Sequence, residues 1–164
     1  MDRMRELSEA DARGSVAKIY EEIRKYYAAP YVSSLFRHLA TYPGLLEWIW
    51  NITLPAFETG LMQNTGWKHV DVSGLKPLTP LSKEDLAAMK IDCVEKNIII
   101  ETCLTFTRVS PINLVFAGCL EHLLLGKKIK ISAKKQDEFP LPSELLLLPK
   151  MVSWEDMTKR ELTV

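Results

Sequence analysis

A line of polar residues on an otherwise apolar helix is the first feature of this chain that could carry chemistry. The periodicity of residues 43–62 predicts a helix that is apolar almost all round, and Glu47, Asn51 and Glu58 fall on one narrow stripe of it. Two carboxylates and an amide could line an internal pocket there. Because charged groups are seldom fully buried without partners, a thin solvent-facing line is the alternative interpretation.

A second polar line lies on the next long predicted helix, which spans residues 82–108. Glu101 and Arg108 stand two turns apart on it, and Asn97 and Thr105 share the line. Glu101 is a candidate general base, and Arg108 is a candidate cation for a substrate carboxylate. A solvated helix face would show the same pattern, so both interpretations stay open.

A third polar cluster ends a short predicted helix and contains Arg37, His38 and Thr41. Arg37 and Thr41 could bind a carboxylate through charge and a hydroxyl donor. A single histidine in such a place is more often a surface or a satisfied core residue than a catalyst, so His38 is not assigned a role.

Asn113 is the polar residue of an apolar segment that follows Ser110 and Pro111. A serine followed by a proline predicts a helix start, which places Asn113 in a first turn where the helix amides are still unpaired. A side-chain amide in that position must find hydrogen-bond partners. A pocket water or a ligand carboxylate could supply them, and structural capping is the alternative.

Composition excludes several classes of function. The chain has 164 residues, about one domain, and its 21 basic and 21 acidic residues give no net charge, which argues against binding to nucleic acid or to anionic membranes. Motifs of serine hydrolases, nucleotide-binding loops and zinc proteases are absent, so no cofactor and no metal are expected. The three cysteines lie in apolar segments without a CxxC pair, which predicts buried thiols and a cytoplasmic protein.

The hydrophobic pattern predicts an all-α fold in one helical domain over residues 1–164, with a core over about residues 10–155 and a polar tail after Trp154. No apolar signal segment follows the charged first residues, and the apolar stretch 112–125 is too short to span a bilayer. Leu86, Met89, Cys93, Ile100 and Leu104 form the expected core stripe of the 82–108 helix. The predicted helices are 15–27, 34–40, 43–62 with a kink at Pro55, 82–108, 111–125 and 143–150, with a long loop over 64–80.

Three segments resemble the group I 2-haloacid dehalogenases. Residues 16–24 read VAKIYEEIR, residues 35–50 read LFRHLATYPGLLEWIW, and residues 106–114 read FTRVSPINL. The R-H-L-A-T-x-P-G block is the most specific of these, and the match in order and spacing extends over roughly residues 10–155. The resemblance implies an all-helical fold of two repeats that enclose an active site, where an aspartate activates water to displace halide and an asparagine helps to hold that water. The repeat also resembles carboxymuconolactone decarboxylases and alkylhydroperoxidase-D proteins.

This chain has the length of one such repeat, so the resemblance implies a homodimer with two symmetric half-sites. Asn113 matches the family's asparagine. In the family's second repeat, the catalytic aspartate lies just ahead of the R-x-L-A block, where this chain has Ser33, Ser34 and Leu35 and no acid.

We therefore expect a single-repeat relative that hydrolyses or binds a small 2-substituted carboxylic acid at a dimer interface. One alternative is a non-catalytic helical dimer that binds a small acid or a protein partner. The last alternative is a decarboxylase or peroxidase, but this chain lacks the cysteine pair that such an enzyme requires. The candidate catalytic residues are Asn113, Glu47 and Glu101, and the candidate substrate-binding residues are Arg37, Thr41 and Arg108.

Overall fold

The computed structural model describes residues 5–132, 134–136 and 145, and within these residues it contains six α-helices and no β-strand. The all-helical prediction is confirmed. The predicted helix over 143–150 and the tail after Trp154 lie outside the described residues, apart from Leu145. The helices are α1 (Gly14–Tyr27), α2 (Ser34–Leu39), α3 (Leu45–Glu58), α4 (Leu61–Lys68), α5 (Lys83–Ala88) and α6 (Cys93–Leu124).

Helices α1 and α2 begin and end within about one residue of their predicted bounds, because local signals fix both ends. The chain leaves α1 through Ala28, which has a left-handed φ of 47° and donates its backbone N–H to Lys25 O, just ahead of Pro30. Ser33 precedes α2 in an extended conformation. These two turns set the path of the chain between α1 and α3.

The predicted single helix over 43–62 is wrong, since two helices occupy this region and extend to Lys68. Pro55 lies inside α3 without ending it. The break comes at Gly60, whose φ of 75° turns the chain between α3 and α4. A proline in a helix removes one backbone hydrogen bond, whereas a left-handed glycine redirects the chain.

The predicted boundary at Ser110 and Pro111 is also wrong, because α6 runs unbroken through it for 32 residues. The helix starts at Asp92, whose carboxylate accepts hydrogen bonds from the backbone N–H groups of Val94 and Glu95. Helix α4 packs closely against this region. A Cβ atom on Gly66 would lie about 3.0 Å from the Pro111 carbonyl, closer than ordinary van der Waals contact, so glycine lets α4 approach α6 this closely.

The core forms where α1, α3 and α6 meet. Helices α1 and α3 run side by side in the same direction, since Ser15 bonds to Glu47 near their first turns and Tyr27 packs on Phe57 near their last turns. The expected core stripe of residues 82–108 is wrong: Met89, Cys93, Ile100 and Leu104 are exposed and Leu86 is half-buried. The buried residues of α6 are Thr105, Val109, Ile112 and Phe116.

The first three turns of α6, residues 93–104, extend beyond this core, and we call them the α6 arm. Every residue from 93 to 100 is exposed, and the apolar ones point in several directions around the helix. They include Val94, Ile98, Ile99, Ile100 and Leu104. By length and composition alone, the whole of α6 is long and apolar enough to cross a membrane, whereas the sequence prediction concerned residues 112–125 only. Four of its residues are buried in the core.

Candidate functional site

Two buried oxygen atoms define the candidate site. The Ser33 hydroxyl oxygen and the Asn113 Oδ1 atom are both removed from solvent, and neither has a hydrogen-bond partner among the described residues. We call these two atoms the orphan oxygens. A buried polar group without a partner costs about 1–3 kcal/mol, so such groups are rare outside functional sites.

Two aromatic contacts place the orphan oxygens along the same stretch of α6. Tyr31 packs on Phe106 with ring centroids 5.6 Å apart, and Phe36 packs on Phe116 at 4.6 Å. The chain from residue 31 to residue 36 therefore follows α6 from 106 to 116. Ser33 lies inside the first of these segments and Asn113 inside the second, so the contacts bracket both side chains.

The prediction that Asn113 lies in a first helical turn is wrong, because α6 begins twenty residues earlier, at Cys93. Its neighbouring backbone groups belong to the middle of a helix, so they do not need a side-chain cap. The need for a partner instead comes from burial of Oδ1 itself. No unpaired backbone N–H group of a first helical turn therefore lies beside Asn113 in α6, and the structural-capping interpretation does not apply to it.

Arg37 lies on α2, one turn after Ser33. Its guanidinium bonds to the Glu6 carboxylate at 2.7 Å, while its Nε atom is buried and has no acceptor within the described part of the chain. Burial raises the pKa of the neighbouring Tyr20 to about 12, against the lowering effect of Arg37, and the Tyr20 hydroxyl donates to Leu7 O at 3.0 Å. Arg37 therefore has one free donor left for a ligand.

The remaining predicted residues are spread over the molecule. Glu47 accepts a hydrogen bond from Ser15 at 2.8 Å, near the start of α1. Arg108 donates to Ala28 O at 2.7 Å, beyond the end of α1. Because α1 separates these two contacts by about 20 Å at 1.5 Å per residue, one chain does not bring Glu47 and Arg108 together.

Glu101 and Thr41 also stand apart from the orphan oxygens. Glu101 and Arg108 share one side of α6, and Asn113 lies about 120–140° around the helix from them. Thr41 is exposed and donates its hydroxyl hydrogen to His38 O at 2.7 Å. The assignment of catalytic and substrate-binding residues stays a prediction. Asn113 lies on the stretch of α6 that residues 31–36 follow, and Arg37 lies one turn after Ser33 on α2.

Asn51, Glu58 and Asn97 are exposed, which fits the solvent-facing interpretation of both polar lines at these positions. The expectation of buried thiols is wrong for Cys93 and Cys103, which are exposed on the α6 arm, and Cys119 is half-buried. Across residues 5–132 and 134–136, no cluster of three or more histidine, cysteine or acidic side chains could hold a metal ion.

Sequence reasoning missed Ser33 as a site residue. Its serine type carries no periodic signal, and it drew attention only as the place where an acid was expected. Sequence reasoning also missed the Tyr27 hydroxyl, which is buried and has no partner in the described structure. Burial raises the pKa of Tyr27 well above its ordinary value, and nearby Cys119 adds to the effect.

The helical fold of this chain has a match among solved structures. A solved structure of a D-2-haloacid dehalogenase mutant in complex with D-2-CPA superposes on this chain with a TM-score of 0.69 and 16% sequence identity. The match covers 97% of this chain and 57% of the other, so this chain spans little more than half the dehalogenase. No protein-family model and no curated protein matches the sequence. The likeness shows a shared fold, and membership of the group I family stays a prediction.

Proposed function

We propose that this chain is a haloacid dehalogenase-like domain that binds a small 2-substituted carboxylic acid next to Asn113 and does not release halide efficiently. The buried and unpartnered Oδ1 atom of Asn113, as judged within the described residues, is the observation that carries the proposal. An oxygen in that state needs a hydrogen-bond donor, and a bound ligand can provide one. The similar dehalogenase structure, solved with D-2-CPA, supports a small acid as the class of ligand.

The ligand chemistry follows from the atoms of the site. Asn113 Oδ1 can only accept a hydrogen bond, and the Ser33 hydroxyl can both donate and accept. A hydroxyl group at C2 of the acid would donate to Oδ1, whereas a halogen at C2 has no hydrogen to donate. We assign the ligand carboxylate to the guanidinium of Arg37, one turn after Ser33, because its buried Nε–H has no acceptor among the described residues. A 2-hydroxy acid therefore fits the site better than a 2-halo acid.

Turnover lacks a base at the position where the resemblance expects one. Ser33, Ser34 and Leu35 stand there, and a serine hydroxyl does not take a proton from water without a stronger base beside it. Glu47 is bonded to Ser15, and Glu101 lies on another side of α6 from Asn113. The carboxylates that lie near Ser33 and Arg37 already have partners, since Glu9 binds Arg24 and the backbone N–H of Val32, and Glu6 binds Arg37. These pairings favour binding over hydrolysis.

A second copy of the chain completes the site in this proposal. The α6 arm exposes at least five large apolar side chains in one chain, and exposed apolar surface concentrated on one projecting helix is typical of an interaction site. The dehalogenase to which this chain is similar is longer, and the match covers only 57% of it. A symmetric pair of chains would supply the missing surface through one self-complementary contact.

Calorimetric titration of the full chain with L- and D-lactate and with both enantiomers of 2-chloropropionate tests the proposal, with chloride measured in the same samples. The expected result is saturable binding, tighter for one lactate enantiomer than for 2-chloropropionate, and no chloride above the protein-free control. Rapid chloride release by the wild-type chain would overturn the proposal, and so would the absence of binding by all four acids.

A further inference from the structure

We infer a second ligand site, a cavity of about 370 Å³ between α3, α4, α6 and residues 128–131, which takes the chain of an aliphatic carboxylate and holds its charged end at Lys128 and Lys130. This volume lies in the usual range for small-molecule sites. The site is independent of the proposed function, and its ligand is an unbranched amphiphilic anion rather than a small 2-substituted acid.

The interior of the cavity is mainly apolar. Ala56 of α3, Met62 of α4 and Val115 of α6 contribute to its wall. Thr53 also lines it, but its hydroxyl already donates to Ile49 O at 2.9 Å and so does not require a polar ligand group. Burial of an alkyl chain against such a wall is favourable by roughly 25 cal/mol for each Å² of apolar area removed from water.

The cover of the cavity is strongly basic. Residues 127–136 contain five lysines and no acidic residue, in a chain whose net charge is zero. Lysines and isoleucines alternate over 128–131: Ile129 and Ile131 are half-buried against the cavity, whereas Lys128 and Lys130 are exposed at its rim. Lysine can keep its ammonium group in water while its stem covers apolar surface. A carboxylate at the rim would therefore meet two cations without being buried.

The cavity and Asn113 lie on different flanks of α6. Val115 and Cys119 line the cavity, and they stand about 120–160° around the helix from Asn113. A ligand in the cavity is therefore separated from the orphan oxygens by the body of α6. Loss of binding at one site leaves the other intact, so the two inferences fail separately.

Cys119 provides a direct readout of occupancy. It lines the cavity, and burial raises the pKa of its thiol, so it reacts slowly with alkylating reagents. Replacing the exposed Cys93 and Cys103 by serine leaves Cys119 as the single thiol of the three-cysteine chain. The rate at which N-ethylmaleimide alkylates this variant then measures access to the cavity.

The experiment compares decanoate, decanol and 2-chloropropionate as protecting ligands, each below its aggregation limit. Decanoate is expected to slow alkylation of Cys119 at least tenfold and saturably, decanol is expected to protect several-fold less well, and 2-chloropropionate is expected to have no effect. Replacing Lys128 and Lys130 by glutamine should reduce protection by decanoate to the level of decanol. The matched change at Lys134 and Lys135, which do not line the cavity, should leave protection unchanged.

Three results would overturn the second site. These are no protection of Cys119 by decanoate, equal protection by decanoate and decanol in the single-thiol variant, and an equal loss of protection whether Lys128 and Lys130 or Lys134 and Lys135 are replaced. Adding Asn113→Ala to the single-thiol variant separates the two sites. Protection by decanoate should survive this change, and its disappearance would count against a separate cavity site.

Discussion

The rings of Phe36 and Phe116 lie with their centroids 4.6 Å apart, and this contact fixes the start of α2 against the middle of α6. Ser33 precedes Phe36 by three residues, and Asn113 precedes Phe116 by three residues. Both rings are fully buried, whereas both preceding side chains carry an orphan oxygen. One hydrophobic contact therefore positions both polar groups of the candidate site.

Replacing Ser33 by aspartate should introduce halide release. The resemblance expects the water-activating acid within residues 33–35, and Ser33 is the position of this segment whose hydroxyl is buried. A positioned base contributes about 10²–10⁴-fold to such a step. We expect chloride release from 2-chloropropionate at least tenfold above that of the wild type. Ion chromatography of timed samples measures it.

Ser34→Asp is the matched control, since Ser34 is the adjacent residue, has the same type and is exposed. It should release no more chloride than the wild type. Equal release by the two variants, or none by Ser33→Asp in a folded protein that still binds the acid, would show that Ser33 is not at the reacting position.

Removing the Tyr27 hydroxyl should stabilise the protein. This hydroxyl is buried and unpartnered within the described residues, so Tyr27→Phe should raise the free energy of unfolding by about 1 kcal/mol at neutral pH. Tyr20→Phe is the contrasting change, because the Tyr20 hydroxyl donates to Leu7 O, and it should lower the free energy by a similar amount. Thermal unfolding should show shifts of opposite sign, about 2–4 °C per kcal/mol. Destabilisation by Tyr27→Phe would mean that its hydroxyl has a partner.

The same tyrosines predict a loss of stability at alkaline pH. Burial raises the pKa of Tyr27 in the folded state. The stability that depends on its neutral hydroxyl is therefore fully present below the unfolded pKa of about 10 and is lost as the pH rises above that value. Tyr20, with a pKa of about 12, should act in the same direction. Urea unfolding between pH 9 and pH 12 should therefore give a falling free energy of unfolding. Tyr27→Phe should lessen this slope by about 1.4 kcal/mol per pH unit, and an unchanged slope would contradict the assignment.

The α6 arm should hold two chains together. Light scattering of the wild type is expected to give twice the mass of the chain at micromolar concentration. Ile98→Glu with Leu104→Glu should give the mass of one chain, since charges on an apolar contact are costly to bury. Lys96→Glu, on the exposed polar part of the arm, should leave the dimer intact. A monomeric wild type would remove the second copy from the proposal.

Local signals predicted the parts of the fold that local interactions determine. Helix α1 ends ahead of Pro30 as its sequence indicates, and Ser82 and Asp85 form a capping box at residue 82, where the sequence predicts a helix start. Ser110 and Pro111 give an equally clear local signal for a helix start, yet α6 continues through them. Its start is capped at Asp92, and α4 packs on Pro111 through Gly66, a contact between residues far apart in sequence.

Of the two orphan oxygens, only the one on Asn113 was predictable, and for a reason that the structure corrects. The Ser33 hydroxyl is buried because residues 31–36 lie against residues 106–116, more than seventy positions later in the chain. No periodicity within residues 31–36 reports that contact. Glu47 and Arg108 looked like members of one site because their types suit it, but α1 keeps them about 20 Å apart.

The most direct test of the proposed function is binding of lactate to the wild type and to Asn113→Ala, measured by calorimetry. The wild type should bind one lactate per chain. The variant should bind at least tenfold more weakly, because it loses the acceptor for the C2 hydroxyl. It should unfold within about 1 kcal/mol of the wild type, since the described structure shows no hydrogen bond that the substitution breaks and alanine favours a helix interior. Equal affinity of the two folded proteins for lactate, or no binding by the wild type, would contradict the account.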